Sequence, residues 1–129
     1  FYQLLPGCTF VYMGQEYAID EYPTLFEKNP VPWEQGEAQF KTMFANIFSA
    51  TQTIKAHAPH FAYRELGEGV VLIERKGKNG QYKALCNLDD RTGFIELDSV
   101  LEGTDMLTGK AVTLKGRIEL PRGVLLLKQ

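Results

Sequence analysis

Pro6-Gly7-Cys8-Thr9-Phe10-Val11-Tyr12-Met13-Gly14-Gln15-Glu16 is the stretch on which the reading of this chain turns. A Pro-Gly pair leads into six residues that are apolar on both faces. That pattern belongs to a strand covered on both sides, as in a parallel sheet flanked by helices. Gly14 ends it, and Phe1 to Leu5 before it read as the last turn of a helix stopped by Pro6-Gly7. Such a strand needs neighbours on its edges and helices on its faces. Residues 1 to 62 offer one strand and one strong helix, so they read as the closing βα unit of a sheet whose other members lie elsewhere. Residue 1 is Phe rather than Met, which fits a fragment or a processed chain.

The helix is expected from about Glu37 to Lys55. Phe40, Met43, Phe44, Ile47, Phe48, Thr51 and Ile54 recur at spacings of three and four and form one broad stripe. Pro59 prevents its continuation. The stripe has the width of a core face and reads as packing rather than a binding box. Between strand and helix, residues 17 to 36 are irregular and contain Pro23, Pro30 and Pro32.

From about residue 63 the period changes to two. Val71 and Ile73 point one way, with Leu72 and Glu74 the other. Asn79-Gly80 signals a two-residue hairpin, since both residues tolerate positive φ. Tyr82, Ala84, Cys86 and Leu88 share a face, and Asp89 to Gly93 is a turn. Ile95 and Leu97, Val112 and Leu114, then Ile118 and Leu120 continue the alternation, and Val124 to Leu127 reads as a buried strand. Six to eight short strands at this spacing predict an antiparallel sandwich.

Composition excludes several classes. At 44% hydrophobic and 23% charged residues, the 129-residue chain has enough apolar material for a packed core and is not expected to be disordered. Its 14 basic and 16 acidic side chains are scattered along the sequence, net −2, with no basic cluster that could track a phosphate backbone, so nucleic acid is not expected as a partner. The longest aliphatic run, Val124 to Leu127, is far short of the roughly 20 residues of a membrane helix. Cys8 and Cys86 lie in apolar stretches and read as two buried free thiols; two cysteines do not define a redox compartment.

The wording of these segments resembles the α-amylase family of glycoside hydrolases (family 13). Pro6 to Glu16 is similar to that family's eighth barrel strand, where a Pro-Gly turn leads into an apolar strand ending in Tyr, then Gly, an acidic or amide residue, and Glu. Leu25-Phe26-Glu27-Lys28-Asn29-Pro30-Val31-Pro32-Trp33 resembles the following loop in some bacterial members. Lys55-Ala56-His57-Ala58-Pro59 resembles the exit of the last barrel helix. Asp105-Met106-Leu107-Thr108-Gly109-Lys110 and Leu120-Pro121-Arg122-Gly123 resemble the end of the C-terminal domain. Thr9 and Gln15 depart from the family's frequent Pro and acidic residue, at positions that carry none of its chemistry.

The resemblance implies an α+β fragment. Residues 1–62 would be the last βα unit of a TIM barrel (eighth strand, loop and last helix), and residues 63–129 an antiparallel C-terminal β-sandwich. It implies a parent that cleaves α-glucosidic bonds of starch-like oligosaccharides or related α-glucosides with retention. That chemistry uses two carboxyl groups about 5–5.5 Å apart. In the family they lie on the fourth and fifth strands, with a third Asp after the seventh, so all precede Phe1. The fragment is therefore expected to support the barrel and to be inactive alone, with no catalytic residue of its own. The alternative is a non-catalytic saccharide-binding or interaction β-sandwich module.

Residues that are present read mainly as structure. Glu16, just past a strand end, is expected to accept backbone N–H bonds or anchor the loop, with Gly14 beside it at the barrel rim. Asp20 and Glu21, adjacent in sequence, make an unconvincing acid–base pair, and Asp89-Asp90 reads as turn chemistry. His57 and His60 have the spacing of a weak metal pair without a third ligand, so neither metal nor cofactor is expected; His57 fits capping of the helix end. Trp33, Tyr22 and Phe26 are the candidate sugar-facing groups, because aromatic faces stack on pyranose rings and this loop follows a barrel strand at the functional rim. Trp33 reads equally well as packed on the helix stripe. The open edge of the Cys8–Met13 strand predicts that the first 30 or so residues of an isolated piece repack, disorder or self-associate.

Overall fold

The computed structural model describes residues 1–21 and 26–129. Its frame is one 20-residue helix, α1 (Ala38–His57), laid against a six-stranded antiparallel sheet: β1 (His60–Gly67), β2 (Val70–Gly77), β3 (Gly80–Asn87), β4 (Phe94–Asp105), β5 (Ala111–Glu119) and β6 (Val124–Lys128). The strand order is β1-β2-β3-β6-β4-β5. No helix among the described residues is long and apolar enough to cross a membrane.

Alternation along the strands separates two cores, as the period of two requires. Ile73, Tyr82, Ala84, Cys86 and Leu126 face α1, where they meet Ile54, Ala58 and Leu4. Leu72, Leu85, Leu97, Leu101, Ile118 and Leu127 fill the opposite side, joined by Ile95, Val112, Leu114 and Leu120. The sandwich expectation is corrected here. β6 pairs with β3 along five residues and with β4 at Thr104↔Lys128 and Asp105↔Leu127, so a single continuous sheet curls round the second core. Inward-outward alternation is the same for two stacked sheets and for one curled sheet, so the sequence pattern does not separate them. A register shift between Leu97 and Leu101 in β4 sharpens the bend. The Arg64–Asp98 pair, 3.2 Å, links β1 to β4.

The β2–β3 turn also differs from expectation. Gly77 pairs with Gly80, so the loop is Lys78-Asn79, one residue earlier than Asn79-Gly80, and neither residue has positive φ. Gly77 is held in the ladder because it lies against the end of α1. A Cβ there would overlap the His57 carbonyl oxygen and come within 2.8 Å of Ala58 Cα.

At the other end of the sheet Asp105 is buried, and its carboxylate organises the β4–β5 turn. Oδ1 accepts the Leu107 N–H (3.1 Å), Oδ2 accepts the Thr108 hydroxyl (2.5 Å), and Gly109 closes the turn at φ +72°. Asp105→Ala strands these donors and is expected to lower stability by about 1.5 kcal/mol. Urea titration followed by circular dichroism checks this, and an unchanged midpoint would refute it.

The first 20 residues depart most from expectation. Tyr2–Leu4 is a 3₁₀ turn, with Gln3 and Leu4 buried under the sheet and helix. Residues 8–12 form no strand, and Cys8 is exposed. A strand exists only through its ladder, and among the described residues no segment pairs with this one. Instead Lys55 on α1 donates to the Gly7 carbonyl (3.1 Å) and the Thr9 hydroxyl (2.8 Å), pinning the segment along the helix. Partial burial, with the Arg75 charge nearby, holds the Lys55 ammonium below its ordinary pKa.

The helix forms where expected, but its stripe is covered only at the C-terminal end. Thr51 and Ile54 are buried. Phe40, Phe44, Ile47 and Phe48 are half-buried and Met43 is exposed, as are Phe10 (74%), Tyr12 and Met13 (62%). The molecule exposes 8854 Å² for a mass of 14.6 kDa, where a compact monomer of that mass exposes about 6,900 Å². The excess, about 1,900 Å², is more than twice what one partner loses in an interface of standard size.

Candidate functional site

The loop between Gly14 and Glu37 holds the candidate residues. Gly14, at φ +98°, makes the left-handed turn that only a residue without Cβ takes readily. Its N–H donates to Glu16 Oε2 at 3.0 Å, and its carbonyl accepts from Tyr17 and Ile19 at 3.0 and 3.1 Å. Gln15 Oε1 accepts the Tyr12 N–H at 2.8 Å. Glu16 and Gly14 are thus brought together, the carboxylate bound to the backbone of the turn it follows.

Trp33 lies in a 3₁₀ turn, Trp33–Gln35, and its ring meets Tyr17 edge-on, with centroids 5.6 Å apart at 71°. It packs on Tyr17 and remains 45% exposed. Tyr17 is fixed from three directions. Lys41 Nζ donates to its hydroxyl at 2.7 Å and sits 4.8 Å from its ring centroid; Gly36 touches it so closely that an added Cβ would lie 2.7 Å from Tyr17 Cβ; and its carbonyl accepts the Glu37 N–H at 2.9 Å. The hydrogen bond to Tyr17 raises the pKa of the Lys41 ammonium. Sequence reading missed Tyr17 and Lys41, since nothing local pairs residues 24 apart.

Phe26 is 96% exposed, and Tyr22 lies outside the described residues. The hollow within the loop, bounded by Met13, Ile19, Glu21 and Asn29 to Pro32, has about 20 Å³ of space, room for a water but not for a sugar ring. A larger hollow of about 510 Å³ lies between Val11, Tyr12, Met13 and the Phe44 and Phe48 side of α1, with Glu16 at its margin. Among the described residues no group of three or more His, Cys, Asp or Glu is placed to hold a metal ion.

No family model and no curated relative matches the sequence. Solved structures do match by shape. An α-amylase from Lactobacillus plantarum superposes with a TM-score of 0.70 at 17% identity, over 92% of this chain and 29% of that one. The fold is one found in α-amylases. A maltogenic amylase from S. marinus gives 0.69 at 19% identity, over 98% of this chain and 19% of the other. The noncanonic maltogenic α-amylase AmyB from Thermotoga neapolitana gives 0.65 at 17% identity, over 92% and 32%. This chain thus spans less than a third of each of these three amylases. At these identities the amylase likeness concerns the fold, one helix on a curled six-stranded sheet.

Proposed function

We propose that this chain is the C-terminal part of a retaining α-amylase-type glycosidase acting on α-glucosidic bonds of starch-like oligosaccharides. In this reading residues 1–62 complete a (β/α)₈ barrel, residues 63–129 form the domain that supports it, and the catalytic carboxylates come from preceding strands. The observation that carries it is the open apolar face. The stripe from Phe40 to Phe48 continues onto Phe10, Tyr12 and Met13, and a neighbouring barrel strand with its helix would fill the hollow between them. Closing the barrel would supply the ladder that residues 8–13 lack and cover an area of the size left exposed.

In the complete enzyme Gly14 and Glu16 would shape the rim after the eighth strand, and Trp33, braced by Tyr17, would offer its exposed face to a glucose ring. Phe26 and Tyr22 belong to the same loop and are retained as sugar-facing candidates.

The test uses the product of the complete reading frame. It is expected to release reducing sugar from maltooligosaccharides with retained anomeric configuration. Trp33→Ala is expected to raise KM about tenfold, the scale of one lost aromatic contact, with little change in kcat. A complete product inert on α-glucans would overturn the assignment. Calorimetry on the 129-residue chain separates the binding-module alternative: the enzyme reading expects neither hydrolysis nor tight binding of maltose-series glucans, whereas tight binding abolished by Trp33→Ala would replace it.

A further inference from the structure

Both histidines of the protein line one hollow of about 500 Å³, between the end of α1 and the β2–β3 turn, together with Lys76 and Lys78. No acidic residue lines it. The side chains of His57, His60, Lys76 and Lys78 make no hydrogen bond or ion pair among the described residues. The nearest carboxylate along β2, Glu74, lies 4.0 Å from Lys83 instead. A chain of net charge −2 therefore carries a local inversion of sign, in which the fold sets His57 and His60 beside the lysines of the Arg75-Lys76-Gly77-Lys78 run, about 20 residues further along.

The hollow has a fixed frame. Gly77, between the two lysines, is wedged against the His57–Ala58 backbone, so the turn cannot move away from the helix end without breaking that contact. His60 stands opposite Lys76 in the β1–β2 ladder. These contacts fix the backbone that carries the four exposed basic side chains, and side chains without internal partners are open to donate to an anion. The carbonyls ending α1 contribute a partial negative charge of about half a unit, which the two full charges of Lys76 and Lys78 outweigh.

We propose that this hollow is a binding site for an oxyanion of the phosphate class, whether free phosphate or the phosphoryl group of a sugar ester. A tetrahedral dianion accepts from several directions at once and suits donors arriving from a helix end, a strand and a turn. The site stands apart from the amylase reading and does not depend on it.

The test is titration of the ¹⁵N-labelled chain with sodium phosphate at constant ionic strength, followed by amide shifts. Saturable shifts confined to residues 57–60 and 76–79, with a dissociation constant of about 1 mM, are expected. The double variant Lys76→Glu/Lys78→Glu should weaken binding tenfold or more. Lys110→Glu/Lys115→Glu, which makes the same change in net charge outside the hollow, should leave it within twofold. If the first double variant loses its folded spectrum, the single changes Lys76→Gln and Lys78→Gln should each weaken binding about threefold. A parallel titration with glucose 1-phosphate distinguishes the sources: tighter binding than phosphate assigns the site to a phosphorylated sugar, and equal or weaker binding assigns it to free phosphate. Shifts that fail to saturate, or equal weakening in the two double variants, would overturn the proposal.

Discussion

Gly77→Ala is expected to lower the stability of this chain by about 3 kcal/mol, at the upper end of what overpacking does. The glycine has an ordinary backbone conformation, so the effect is steric. A methyl group would overlap the His57 carbonyl oxygen and sit 2.8 Å from Ala58 Cα and 2.9 Å from His57 C, all backbone atoms unable to rotate aside. The only relief is to lift the β2–β3 turn off α1, which loosens Ile54 and Ala58 from the first core. With a urea dependence of about 1.5 kcal/mol per molar, the midpoint should fall by about 2 M. A midpoint within about 0.3 M of the parent would show that the helix end and turn yield freely.

Arg75→Ala should cost a similar amount, about 3 kcal/mol, through a different mechanism. Arg75 is only 4% exposed and has no carboxylate partner among the described residues. Its Nε and Nη2 donate to the Leu4 carbonyl at 3.0 and 2.7 Å, and Nη1 donates to the Pro59 carbonyl at 3.2 Å, while its plane lies 5.0 Å from the Phe61 ring centroid. Burial pushes the guanidinium pKa down, so these carbonyls are what keeps the charge tolerable there. Truncation leaves two carbonyls without donors and removes the stem that packs under the sheet. The N-terminal turn should then detach, and faster amide exchange at Leu4 and Leu5 would report it. Arg75→Lys, which retains charge but not the fork, should recover less than half the loss. Full recovery by lysine would show that charge alone holds the turn.

How legible this was in the sequence varied with the range of the interaction. The helix was readable from Phe40 to Ile54 because spacings of three and four are local. Strand faces were readable for the same reason: Val71 and Ile73 face α1 and Leu72 faces the second core, as their alternation requires. Closure of the sheet was not readable, because β6 joining β3 to β4 is a pairing between distant segments that leaves the period unchanged. The β2–β3 turn slipped by one residue because Asn79-Gly80 carries the standard hairpin signal while the demand on Gly77 comes from His57, 20 residues away. Cys8 to Met13 has the composition of a buried strand and no ladder, since hydropathy records what a segment could bury against and not whether this chain provides it. At the candidate site Glu16 was visible through its place after Gly14. The Tyr17, Trp33 and Lys41 cluster was not, because an aromatic residue in an irregular loop says nothing about which ring or cation it meets.

The position of β6 bears on how the molecule is made. The strand synthesised after the five others is the one that sits between the β1-β2-β3 meander and the β4–β5 hairpin, so a nascent chain emerging from the ribosome holds β3 and β4 with their inner edges bare until residues 124–128 arrive. During that interval the second core is open along its length, and a helper that shields bare strand edges would have most to do then. Loss of those few residues would leave the β1-β2-β3 meander and the β4–β5 hairpin without a ladder between them, rather than a slightly shorter sheet.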